Sequence, residues 1–150
     1  MKKLFLSKGN LLIIFCGIVN IFFVACEPQK YAECEQMIIL ANNVTKQTQA
    51  IAKNFSDRDQ DLENWLEASE IMKQAATNIA ALDIKDSQLI EYQGSLADIY
   101  RVYSQATSDA VKARKSRDLP ALQSARDNAK NATEINNNLV KNINNYCLEK

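Results

Sequence analysis

From Cys34 to Tyr146 the apolar residues recur at alternating steps of three and four, the rhythm of a helical seam. No other feature narrows the possible folds as far. The first segment runs Cys34, Met37, Ala41, Val44, Thr48, Ile51 and Phe55, and the second Leu62, Trp65, Ser69, Met72, Ala76, Ile79 and Leu82. The third runs Leu89, Tyr92, Leu96, Ile99, Tyr103, Ala106, Ala110 and Ala113. The fourth runs Leu122, Ala125, Ala129, Ala132, Leu139, Ile143 and Tyr146, with Ile135 beside the expected slot at Asn136. A half-buried strand alternates by two, and none of these segments does. With only 3 Gly and 2 Pro, the chain also lacks the turn residues of a sandwich or barrel.

The seam breaks where capping chemistry appears. Ser56 and Asp57 precede the second run, and their side chains can accept from free helix N–H groups. Asp83-Ile84-Lys85-Asp86-Ser87 separates the second run from the third. Asp118 stands before Leu119-Pro120, with Pro in the first turn, where it is tolerated. The spacing predicts helices over 29–56, 58–82, 86–116 and 119–147. Connections this short make neighbours run antiparallel. The expected fold is all-α: an antiparallel up-down-up-down four-helix bundle over 31–150, preceded by an N-terminal signal or anchor helix. A chain of 150 residues is enough for one such domain.

The first residues have a different character. Met1-Lys2-Lys3 is a positive start, and an apolar stretch from Leu11 to Ala25 stops at Cys26-Glu27-Pro28. Its 15 residues span roughly 22 Å as a helix, short of the ~30 Å hydrocarbon core of a bilayer. That length suits the apolar region of an export signal. Phe23-Val24-Ala25-Cys26 resembles the lipobox of bacterial lipoproteins, with small Ala25 before the Cys and Phe23 where Leu is usual. The resemblance implies cleavage after Ala25, a diacylglyceryl group on the Cys26 thiol, and acylation of the new amine. More than one acyl chain gives lasting membrane attachment. The domains would then be a signal peptide at 1–25, a lipidated tether at 26–30 and the bundle at 31–150. An uncleaved membrane helix, or secretion with Cys26 unmodified, would export the domain equally.

If Cys26 is lipidated and Cys16 is removed with the signal, 2 of the 4 cysteines remain. Cys34 lies near the start of the first helix and Cys147 at the end of the fourth. The bundle places both at one end on adjacent helices, and export places them in an oxidising compartment. A disulfide is expected; the alternative is two buried thiols packing as small apolar groups.

Charge and residue inventory exclude several functions. Of 18 basic side chains, Lys2, Lys3 and Lys8 fall in the export segment, leaving 15 against 18 acidic, a net of −3. A mildly acidic domain is a poor nucleic-acid binder. There is no His, the commonest general base and metal ligand. Asp57-Arg58-Asp59-Gln60-Asp61 opens like a calcium loop, but Leu62 stands where Gly is needed and Ala68 where Glu is needed. Those acids suit a helix N-terminus. Lys112, Arg114, Lys115 and Arg117 cluster at the end of the third helix, as dipole compensation or as a partner surface, facing Asp57, Asp59 and Asp61. Tyr92 and Tyr103 read as core, Tyr100 as a flank of the seam, and Trp65 as a core anchor. No catalytic pairing, metal site or cofactor site is legible. The expectation is a lipid-anchored, non-enzymatic interaction or accessory subunit in the cell envelope, facing periplasm, lumen or exterior. The alternative is a module holding a small apolar or anionic ligand between helices.

Overall fold

A computed structural model describes the backbone of residues 26–52 and 58–149, and the side chains of 29–51 and 62–149. The described residues form four helices and no strand: α1 (Cys26–Ala52), α2 (Arg58–Ala80), α3 (Ser87–Ser116) and α4 (Leu119–Leu148). The helices pack on one another as a four-helix bundle. The seam read from the sequence is the buried side. Met37, Ile79 and Leu89 are fully enclosed, with Leu96, Ile99, Leu139 and Ile143 packed around them. One helix differs from expectation at its start. α1 begins at Cys26, where the spacing predicts a start at 29, so residues 26–30 are helical.

Helix boundaries follow from local chemistry. Asp86 caps α3, its carboxylate accepting from the Leu89 N–H at 2.9 Å. Asp118 caps α4 in the same way through the Ala121 N–H at 3.0 Å, followed by Pro in the first turn. Between them α3 ends on Arg117, held in the left-handed region at φ 59° and ψ 30°. The Asp118 N–H then reaches back to the Ala113 carbonyl at 2.8 Å, closing the C-terminal turn that Gly usually makes. The end of α2 has no such turn. The Gln93 amide on α3 caps it instead, donating to the Ile79 and Leu82 carbonyls at 2.7 and 2.9 Å.

Packing is uneven. α3 lies closely against both α2 and α4, whereas α1 leans on α2 and touches α3 and α4 more sparsely. α1 also segregates its apolar residues less than any other helix. Between α1 and α4 a crevice of about 410 Å³ is lined by Ile38, Asn42, Tyr100, Asn136 and Val140. The large core residues gather where α3 begins, and the alanines gather where it ends. Ala106, Ala110 and Ala113 on α3 and Ala125 and Ala132 on α4 are all buried, and small side chains let helices approach closely.

One seam reading is corrected, and the slot expected at Asn136 holds. Trp65, expected as a core anchor, is 36% exposed and lies in a groove between helices. Its partner positions are alanines, too short to cover an indole. Ile135 is 59% exposed while Asn136 is half-buried, so the strict repeat holds and the polar residue occupies the seam.

Candidate functional site

Cys34 and Cys147 are joined by a disulfide, with Cα atoms 6.0 Å apart and a sequence separation of 113. Both are buried. The bond ties the first turns of α1 to the last turn of α4, and polar groups collect around it.

Glu33, beside Cys34, is only 4% exposed. A buried carboxylate is costly unless hydrogen bonds replace its water. Here the Asp86 N–H donates to Oε2 at 3.0 Å, and the Gln29 amide donates to Oε1 at 2.9 Å. Burial pushes the Glu33 carboxyl up. The N–H groups of Asp86 and Lys85 and the Gln29 amide together outweigh burial and hold it below its ordinary value. The Asp86 and Lys85 N–H groups belong to the approach to α3, where helix N–H groups lack internal partners and favour an anion.

Asp86 has a second role. Tyr146 on α4 donates its hydroxyl to the Asp86 carboxylate at 3.0 and 2.9 Å. Burial, then the bond to Asp86, pushes the Tyr146 phenol up to about 12. Lys30 lies 4.1 Å from the centre of the Tyr146 ring and donates to the Glu149 carbonyl at 3.1 Å. Tyr92 meets Tyr146 edge to face. Glu33, Asp86 and Tyr146 therefore knit α1, the α2–α3 turn and α4 into one knot around the disulfide. In the sequence Asp86 reads only as part of the break before the third helix and Tyr146 only as a seam position; Glu33 does not stand out. Glu33 carried one usable signal: it is the neighbour of a bridged Cys on a helix that meets the start of α3.

The other sequence candidates are placed as follows. Lys112 pairs with Asp109 at 3.3 Å, an exposed contact one turn away. Arg114 lines the groove beside Trp65, Lys115 is exposed, and Arg117 makes the left-handed turn that ends α3. The four basic residues do not converge on one point. The side chains of Asp57, Asp59 and Asp61 lie outside the described residues, as does the expected pairing with them. From Arg58 onward the chain is helical through Leu62 and Ala68, so no twelve-residue calcium loop forms. Among the described residues no group of His, Cys, Asp or Glu is arranged to hold a metal ion. Tyr103 is half-buried with its hydroxyl donating to Thr133 at 3.1 Å, and half-buried Tyr100 flanks the seam.

Cys26 begins α1, but its thiol lies outside the described residues, as do residues 1–25 with Cys16 and the lipobox-like Phe23-Val24-Ala25. Among the described residues no helix is long and apolar enough to cross a membrane. The chain matches no protein-family model, no curated protein sequence and no solved structure.

Proposed function

We propose that this protein is a lipid-anchored, extracytoplasmic, antiparallel up-down-up-down bundle that serves as a non-enzymatic interaction or accessory subunit at a membrane. In this reading residues 1–25 are an export signal, Cys26 carries the lipid, and the exposed basic residues at the far end are a surface for a protein partner. The observation that carries it is the buried Cys34–Cys147 bridge, since structural disulfides belong to oxidising compartments outside the cytoplasm. The polar interior supports the non-enzymatic part. The four buried polar side chains among the described residues, Glu33, Ser69, Gln93 and Ser104, all bond within the bundle. They hold helices together rather than facing a shared cleft. Mass spectrometry of the mature N-terminus tests the anchor: the expected species starts at Cys26 and carries acyl chains. A chain that keeps Met1, or an unmodified Cys26, overturns it. Purification from solubilised membranes tests the role: one stoichiometric protein partner is expected, and a lone chain counts against it.

A further inference from the structure

At the end of the bundle remote from the disulfide, where α3 stops and α4 starts, a groove of about 570 Å³ opens between α2, α3 and α4. That volume falls within the ~300–1,000 Å³ of small-ligand sites. Its floor is formed by Ala106, Ala110, Ala125 and Ala129, and its walls by Leu62, Trp65 and Leu122. Large apolar groups are left facing water at its mouth: Leu119 is 74% exposed and Trp65 36%. Two arginines, Arg114 from α3 and Arg126 from α4, are among its lining residues, and no carboxylate among the described residues lines it.

We propose that this groove binds a free fatty acid, with the acyl chain along the alanine floor and the carboxylate at Arg114 and Arg126. Three features select that chemistry. The floor and walls are apolar, so they reward a hydrocarbon and offer little to a sugar or a nucleotide. The charged groups are both arginines, whose planar forks match a carboxylate. From Leu119 to Ala129 the groove follows α4 for roughly 15 Å, room for the headgroup and part of a medium-length acyl chain. The site does not depend on the lipid anchor, so each can fail without the other; it takes Arg114 for the ligand and leaves Lys112, Lys115 and Arg117 to the partner surface.

The chain has a single Trp, so indole emission, excited selectively over the 5 Tyr, reports on this groove alone. The full chain in non-ionic micelles is titrated with 12-bromododecanoic acid, whose bromine quenches indole emission. Saturable one-to-one quenching, reversed by unlabelled dodecanoate, is expected. Bromododecanol and a bromododecyl trimethylammonium salt should give only weak, non-saturating quenching from partition into the micelle. The R114Q/R126Q pair, both exposed and checked for helicity by circular dichroism, should weaken binding about tenfold, a few-fold per exposed charge. Ala129→Leu, at a half-buried position, should block the groove while leaving the arginines in place. Equal quenching by acid, alcohol and ammonium would overturn the proposal, as would quenching unchanged in R114Q/R126Q. So would absence of saturation, or a stable dimer that buries Trp65 and excludes the acid.

Discussion

Replacing both bridged cysteines by alanine should destabilise the bundle substantially, and the damage should concentrate in α1. Alanine is the better substitute because both sites are buried and a serine hydroxyl would lack a partner there. The bridge closes a loop of 113 residues. The chain-entropy relation for a loop of that length gives about 5 kcal/mol at 25 °C, an upper bound that acts by restricting the unfolded chain. With a urea slope of about 1–3 kcal/mol per molar, the midpoint should fall by about 2 M. The slope itself should rise, because an unbridged unfolded chain exposes more surface. The location follows from packing. α1 touches α3 and α4 sparsely, and its first turns are held by the bridge, the Glu33 bonds and Lys30. Amide exchange read alongside urea unfolding should therefore show early loss of protection over residues 29–45, with α3 still protected around Leu89 and Leu96. A midpoint shift below about 0.5 M, or equal loss of protection in all four helices, would refute the assignment of the bridge as the clamp on α1.

Asp86→Ala removes both the α3 cap and the acceptor of the Tyr146 hydroxyl, and should cost about 2–3 kcal/mol in urea unfolding. Tyr146→Phe should cost about 1 kcal/mol, and the double variant should cost less than the sum because the two share one bond. The folded Glu33 carboxyl is held below its ordinary value, so its contribution is complete above the unfolded value of about 4.3 and is lost as pH falls through the lower folded value. Urea midpoints measured against pH should show that acid limb, and Glu33→Gln should flatten it. Tyr146 has the opposite sign: its contribution is complete below about pH 10 and disappears as pH rises through about 12, with Tyr146→Phe removing the dependence. Gly94 lies in the middle of α3 with open space where a Cβ would stand, so Gly94→Ala should raise stability by about 0.5–1 kcal/mol in thermal unfolding. Arg117→Gly should also stabilise, by about 0.5–1 kcal/mol, by relieving a side chain held at positive φ.

What the sequence determined by itself was local: which stretches are helical, where α3 and α4 start, and, Trp65 apart, which side turns inward. The three-and-four spacing marked Met37, Ile79 and Leu89 as interior because a helix returns to the same face at that interval. Asp86 and Asp118 announced helix starts because a cap acts within three residues of itself. The same closeness in topology brought Cys34 and Cys147 together once the helix order was read. The tertiary structure alone decided how near each neighbour comes and what it supplies. A repeat cannot tell that alanines opposite Trp65 leave a groove, since depth depends on two facing helices at once. Nor can it tell that Glu33 is buried, because the N–H that makes burial tolerable comes from Asp86, 53 residues away. Periodicity records the direction in which a side chain points; satisfaction of a buried charge, and the space beside an indole, belong to the partner it meets.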